Sequence, residues 1–522
     1  MGPGDPMPFA IEAPRPAAVR RPPGRDRAAM DRKKWLVVIA VDMAMALAAL
    51  DNTVVGTAMP TVVSSLGGLG LFSWVFSIYL LASTAALPIF GRLSDLFGRR
   101  NMFLVAIWVF TGASALCGLA HSMVFLIAAR GLQGIGAGGT FALGQAVFGE
   151  IFPPRERGRM QGYLAAVWGI SALIGPLIGG LIVTYLGWRW TFFVNIPVGV
   201  AANYLLVLGL TGVASEGTRR RIDYAGAACL VASIVSLMFG LLEVGKVGHL
   251  FGAETIAGLT ACVVFTAAFL AIESRVPEPI LPLNLFGNRT FVTTTVCLFL
   301  SGLAMFGTIS FIPLFVQAVL NGTAVQAGSV LTPTSLSWVM GSTLGGRLLN
   351  RLGYRVLAVT GMLGLTTGYL LFTRLGTGSP LSHAAWSGMI LGLGMGIITV
   401  TTVVAVQTAA PREQIGIVST LPLFFRNIGA TIGVAIMGTI LNAHVSGSGV
   451  SPLSVVGGEG ALQAMPAALR GEIAHGIRAA FYFGLGAVAL GLPISILVPH
   501  LSPVSPGVRS DAAQTQSATT LE

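Results

Sequence analysis

Gly91-Arg92-Leu93-Ser94-Asp95-Leu96-Phe97-Gly98-Arg99-Arg100 returns, altered, as Gly346-Arg347-Leu348-Leu349-Asn350-Arg351-Leu352-Gly353-Tyr354-Arg355. Gly, Arg, Leu, Gly and the final Arg coincide, and the copies stand about 255 residues apart. A second pair keeps nearly that spacing. Pro154-Arg155-Glu156 precedes Gly175-Pro176-Leu177-Ile178-Gly179, and Pro411-Arg412-Glu413 precedes Gly429-Ala430-Thr431-Ile432-Gly433. Basic loops can look alike by chance, but two co-registered matches argue against that. They divide the chain into two related halves joined by a connector.

The surroundings of these repeats are strongly apolar. Of 522 residues, 54% are hydrophobic and 10% charged, with a mean hydropathy of +0.80. A soluble domain needs more charge to cover its surface. Apolar runs near the ~20 residues that cross a bilayer fall at 35–61, 72–91, 102–120, 123–149, 161–186, 190–212, 224–243, 254–272, 291–319, 325–346, 355–373, 384–408, 416–441 and 477–498. The 68 glycines suit close helix contacts in a membrane bundle. The ten-residue alternation of a transmembrane barrel is missing. The expected fold is an all-α membrane protein with fourteen transmembrane helices. A six-span half takes about 180 residues, so the repeat spacing leaves room for two inserted spans at 224–243 and 254–272. The domains expected are a disordered cytoplasmic tail (1–34), an N-terminal six-helix bundle (35–212), a linker with two extra helices (213–290), a pseudo-symmetric C-terminal six-helix bundle (291–498) and a second tail (499–522).

Charge placement orients the chain. With the N-terminus inside, the inner loops hold Arg92, Arg99, Arg100, Arg155, Arg157, Arg159, Arg219, Arg220, Arg221, Arg275, Arg289, Arg347, Arg351, Arg355 and Arg412. The outer side holds Arg189, Lys246, Arg374, Arg470 and Arg478. Both termini are therefore expected in the cytoplasm, in a multi-pass protein of a bacterial-type inner (plasma) membrane. The net charge of +11 reads as this positive-inside bias rather than as nucleic-acid binding. Residues 1–34 hold no hydrophobic stretch, so no cleavable signal peptide is visible, and Met30 is a possible alternative start. Cys117, Cys229, Cys262 and Cys297 sit singly in apolar runs, without metal-ligand spacing or an obvious disulfide partner. Gly240 to Lys246 has a nucleotide-loop spacing, but Val247 stands where a magnesium-binding Ser or Thr would be needed. No metal, cofactor or enzymatic constellation emerges, which leaves an ion gradient as the energy source.

Several stretches resemble the major facilitator superfamily, and within it the fourteen-span drug:proton antiporter family, along nearly all of residues 35–498. Leu50-Asp51-Asn52-Thr53-Val54-Val55 through Pro60 is similar to that family's first-helix motif, and residues 91–100 to the loop motif of the whole superfamily. Arg130-Gly131-Leu132-Gln133-Gly134 resembles the fourth-helix motif. Gly175-Pro176-Leu177-Ile178-Gly179-Gly180 resembles the fifth-helix antiporter motif, with Ser171 where the family usually has another Gly. Three weaker phrases are similar to this subfamily: Gly187-Trp188-Arg189-Trp190 with Asn195-Ile196-Pro197, Ile222-Asp223-Tyr224-Ala225-Gly226, and Leu285-Phe286-Gly287-Asn288-Arg289. The resemblance implies proton coupling at Asp51. It also implies a conformational latch at Gly91, Asp95, Gly98, Arg99 and Arg100, and export through the motif of Gly175, Pro176, Gly179 and Gly180.

The residues themselves allow these roles. An ionised carboxylate at mid-membrane costs about 2.5–3.5 kcal/mol on insertion scales, so Asp51 is expected protonated, paired or facing water, which suits reversible proton binding. A structural polar contact between helices is the competing reading. Asp42, nine residues earlier, falls on the opposite helix face and is a second candidate. Arg130 stays protonated and cannot easily carry the proton, but it can pair with a carboxylate and help it release one. Arg426 is its weaker second-half counterpart, or equally a residue near the cytoplasmic interface. Asp95 can pair with Arg99, Arg100 or a helix N-terminus, whereas Arg92 reads as a basic anchor. Asn350 replaces Asp95 in the second copy, so that latch should be weaker. Glu150 and Glu243 are the next candidates for the proton site.

The function expected is secondary transport: protons in, a small amphiphilic and drug-like compound out, lipophilic cations foremost because buried carboxylates attract them. Alternatives are export of a lipid, siderophore or natural product, or a membrane sensor or scaffold that does not transport. The partners expected are substrate, protons and the lipid bilayer, with no nucleic acid, and each chain works as a monomer.

Overall fold

The computed structural model describes residues 24–67, 71–209, 223–247, 252–411, 414–445 and 467–500, and among these it is helical throughout, with no strand. The helices are α1 (Gly24–Leu66), α2 (Phe72–Phe97), α3 (Arg99–Gly118), α4 (Met123–Ile151), α5 (Pro154–Tyr185), α6 (Trp190–Phe193), α7 (Asn195–Gly209), α8 (Tyr224–Val247), α9 (Ala253–Glu273), α10 (Arg289–Leu314), α11 (Ala324–Phe372), α12 (Leu381–Ala409), α13 (Ile415–Val445) and α14 (Ala467–Ile496). A π-turn over Phe315–Val319 extends α10. The four-residue α6 runs into α7 through Val194.

The duplication read from the sequence appears as repeated packing. In the first half α1 lies against α5 and α7, α2 against α4, and α3 against α4 and α7. In the second half α10 lies against α13 and α14, and α11 against α12 and α14. The halves meet through α2 on α13 and α5 on α11, the same pairing taken twice. Both copies of the loop motif turn on their seventh-step glycine. Gly98 has φ +87° and Gly353 φ +75°, a region that costs a side-chain-bearing residue but not glycine. In the second copy the backbone of Gly353 leaves the helical region and kinks α11 into two helical segments.

Eleven segments among the described residues are long and apolar enough to cross a membrane. The sequence reading expected fourteen. The segment of α11 spans both sides of the Gly353 turn, and α4 and α5 fall outside this set. Their 29 and 32 residues are long enough at 1.5 Å per residue, but α5 opens on Arg155, Glu156, Arg157 and Arg159.

Two boundaries move. The apolar stretch of α1 begins at Lys34, but the helix starts at Gly24, so residues 24–34 are helical rather than a disordered tail. Likewise α14 starts at Ala467, ahead of the expected 477. Residues 1–23, 213–222 and 501–522 lie outside the described residues, as do the tail assignments made there. The inserted helices α8 and α9 form an antiparallel pair, and α8 touches both α2 and α13.

Candidate functional site

Four helices converge on Asp51. Its carboxylate and the Arg130 guanidinium form an ion pair with both side chains fully buried. Gln133 Nε2 donates to Asp51 Oδ1 over 2.9 Å and to Ser114 Oγ over 3.2 Å. Asn195 Nδ2, at the start of α7, donates to the same two oxygens over 3.2 and 2.9 Å. Arg130 Nη1 also donates to Gln133 Oε1, one turn along α4, over 2.8 Å. The guanidinium carbon lies 4.0 Å from the centre of the Tyr79 ring. This covers the face of a cation that stays charged. Cys117 Sγ donates to Gln133 Oε1 over 3.4 Å.

Apolar layers close the network along α1. Leu47, Ala48, Tyr79, Phe110 and Ala137 pack on one side of Asp51. Val55, Ala58, Met59, Leu126 and Phe192 pack on the other. The low dielectric strengthens the pair and makes an unpaired member expensive; both Asp51 oxygens accept hydrogen bonds, while Arg130 Nη2 has no partner among the described residues. Ionised Asp51 and Arg130 together carry no net charge.

Asp42 lies away from this network, as the 180° separation on α1 requires. It is half-buried, and its Oδ1 makes no hydrogen bond. Arg426 is buried on α13, with Asn427 as its hydrogen-bond partner.

The loop motif of the first half reaches across to the second. Asp95 accepts from the backbone N–H groups of Gly416 and Ile417, at 2.9 and 3.0 Å, where α13 begins. An anion there meets the positive end of the helix dipole. Arg99 bridges Asp95 (3.4 Å) and Glu150. Arg100 makes no ion pair among the described residues; of the alternative partners expected for it, Asp95 meets Arg99 and a helix N-terminus. Gly91 and Gly416 face each other with no room for a Cβ on either. The other crossing repeats this contact: Gly158 of α5 meets the backbone of Gly346 of α11. Beside it Asn350 Nδ2 donates to the Arg155 carbonyl over 2.8 Å. Arg157 Nη1 donates to the Gln407 carbonyl over 2.8 Å.

A family model described as Major Facilitator Superfamily matches residues 41–434. The chain belongs to the Major Facilitator Superfamily. It is 39% identical to "Multidrug transporter protein MdtP" of Bacillus subtilis over 413 residues, covering 79% of this chain and 76% of that one. "Multidrug resistance protein 3" of the same species is 35% identical, covering 77% and 79%. The crystal structure of the human organic anion transporter MFSD10 (TETRAN) superposes with a TM-score of 0.63 over 91% of this chain and all of that one. Identity there is 15%, so that match speaks for the fold. Membership of the Major Facilitator Superfamily makes this a multi-pass membrane transporter rather than an enzyme.

Within that family frame, the fifth-helix motif lies on α1 next to Asp51. Gly175 fits under the Thr53 side chain and Gly179 under Thr57 and the backbone of Val54, where a Cβ would clash. Thr53 Oγ1 donates to the Ser171 carbonyl over 3.4 Å, and Ser171 itself is buried. Gly180 faces open space. The backbone of Pro176 lies in α5, and its side chain is outside the described residues.

Sequence reasoning found Asp51, Arg130 and Gln133 but missed Ser114, Tyr79 and the part Asn195 plays. The phrase from Asn195 to Pro197 was the available signal for the last. Arg92, read as a plain basic anchor, is buried and ion-paired to Glu278. Glu273 accepts from Ile280 and Leu281 N–H groups over 3.2 and 3.1 Å, folding the segment after α9 back onto α2. The two remaining phrases are caps. Asp223 accepts from Gly226 N–H over 2.7 Å at the start of α8, and Asn288 from Thr290 and Phe291 N–H over 2.9 and 3.2 Å at the start of α10.

Proposed function

We propose that the chain is a fourteen-span secondary exporter that exchanges protons for drug-like amphiphiles. The buried Asp51–Arg130 pair is the observation that carries this reading. Asp51 is a titratable group held by a cation that cannot give up its own proton. Loading Asp51 with a proton frees Arg130, Gln133 and Asn195 to reorient, so a proton gradient can drive a change in helix packing. The glycines of α5 that touch α1 beside Asp51 would pass that change to the interface with α11. The names of the two bacterial relatives favour drug-like substrates.

The span count and orientation belong to the same reading. Splitting α11 at Gly353 and counting α4 and α5 gives fourteen crossings, with both termini on the side of the arginine-rich loops. That side is cytoplasmic by the positive-inside rule. The Gly91–Gly416 and Gly158–Gly346 contacts lie there, so this arrangement is closed to the cytoplasm. Alternating access would break these contacts and open the halves on that face. A cationic drug would not find Asp51 free, because Arg130 holds it. Asp42 would be the carboxylate it meets.

The test is a pH-jump efflux assay in vesicles, paired with substrate-induced proton release from purified protein. Parent protein is expected to release protons and drive uphill efflux, and Asp51→Asn to do neither. Normal coupling in Asp51→Asn together with loss in Asp42→Asn would move the proton site to Asp42. Normal coupling in both would move it off α1, to Glu150 or Glu243.

A further inference from the structure

The two halves treat their buried arginines differently. Arg130 has Asp51. Arg426, 9% exposed, has no carboxylate within ion-pairing distance among the described residues. Its Nε and Nη2 share one neutral acceptor, Asn427 Oδ1, at 3.4 and 3.2 Å. Nη1 has no hydrogen-bond partner among those residues.

The site is nonetheless built for an arginine. Gly302 of α10 lies against the Arg426 backbone and stem. A Cβ on Gly302 would stand 2.8 Å from Arg426 Cγ, too close for carbon atoms. α10 thus gives up a side chain to let the stem lie down between the two helices. The helical spacing of α13 fixes the outlook of the charged end. Gly416 and Thr420 face Gly91 of α2 at the closed end, and steps of three and four residues carry that face on to Asn427. Asn427 is only half-buried. The guanidinium, hydrogen-bonded to Asn427, therefore lies beside the seam between the halves, about three turns beyond the closure. A cation held at that depth without a counter-charge is costly, and an arriving anion removes that cost.

We infer that Arg426 with Asn427 is a docking site for the acidic head of an amphiphilic substrate, a carboxylate or sulfonate on an apolar body. The guanidinium fork suits two parallel bonds to such a head, and the Asn427 amide can donate another. This inference rests on the export reading for its biology but not for its test.

Three probes with one apolar body separate the possibilities: pyrenebutanoate, its methyl ester and pyrenebutyltrimethylammonium. Equilibrium dialysis against nanodiscs, with and without protein, measures binding at neutral pH. Arg426→Gln is expected to weaken the acid about ten-fold or more and leave the ester and the ammonium within two-fold. Arg426→Lys keeps the charge and should retain part of the acid binding. Asn427→Asp places a permanent counter-charge on Arg426 and should exclude the acid without removing the arginine. It also serves if Arg426→Gln fails to fold. Unchanged acid binding in Arg426→Gln or Asn427→Asp overturns the proposal, as does an equal loss of all three probes. Efflux of the ammonium probe by parent vesicles is read separately. If the parent exports nothing, the export reading fails, while dialysis still decides the role of Arg426.

Discussion

Replacing Asp51 by Asn keeps the shape of the side chain and removes both its charge and its titratable proton. The network around it makes the consequence larger than lost coupling. Arg130 would be left as a buried cation with amide partners only, and breaking a buried pair from one side costs about 3–5 kcal/mol. Asp51→Asn is therefore expected to lower the thermal unfolding temperature as well as abolish substrate-induced proton release. Adding Arg130→Gln removes the stranded charge. The double variant should regain much of the lost stability in a melting assay while remaining uncoupled. Stability in the double variant no better than in Asp51→Asn would show that the pair is held for geometry rather than charge balance. Arg130→Lys should keep partial activity, since it retains the charge without the fork. Asp51, Arg130 and Gln133 were legible in the sequence because charge or strong polarity inside an apolar run stands out. Ser114 and Tyr79 were not, because small or aromatic residues are ordinary there. Only the convergence of α2, α3, α4 and α7 gives them a role.

The two loop motifs invite a comparison between elements. Asp95 faces donors, the N–H groups at the start of α13, and a carboxylate suits them. Asn350 faces an acceptor, the Arg155 carbonyl, and an amide suits that. Restoring the first-copy residue by Asn350→Asp should therefore harm the second crossing, by setting two acceptors against each other. Asp95→Asn should harm the first by losing the dipole and Arg99 interactions, worth about 1–2 kcal/mol. Both effects can be read with a cysteine at Ser419, a fully buried position near the first crossing. Cys229 and Cys262 are replaced by Ala, since Cys117 and Cys297 are already sealed. Thiol labelling should quicken roughly ten-fold with Asp95→Asn and several-fold with Asn350→Asp. Slower labelling with Asn350→Asp would mean that the two crossings obey one chemistry after all. The repeat itself was plain from the sequence. The difference between its copies lay in partners more than 190 residues away, which no local pattern encodes.

At the scale of the whole molecule, the fourteen-span reading places the arginine-rich loops and both termini on one side. Tags near residues 155–159 and 219–221 are expected in the cytoplasm and one near 447–457 outside, measured by protease protection in oriented vesicles. A cytoplasmic tag at 447–457 would break the count. The apolar runs and the repeat were legible from span length and spacing; which helices cross between the halves was not. The start of α1 at Gly24 was not, because a polar, arginine-rich helix ahead of an apolar run looks like a tail. The tie from Arg92 to Glu278 was also hidden, since nothing in either neighbourhood points to the other.

That tie has a consequence in time. Arg92 and Glu278 are separated by 186 residues and Asp95 and Gly416 by 321. At a synthesis rate of ~5–20 residues per second, Arg92 waits roughly 10–40 s for its partner and Asp95 roughly 15–65 s. The first bundle therefore leaves the ribosome with Glu150 on Arg99 but with Arg92 and the N–H acceptor sites of Asp95 unclaimed. Segment α9 and the strap behind it claim Arg92 before the second bundle exists. The inserted pair is thus the first surface beyond the first bundle that the loop motif meets during birth of the chain, and it can hold α2 in register until α13 arrives.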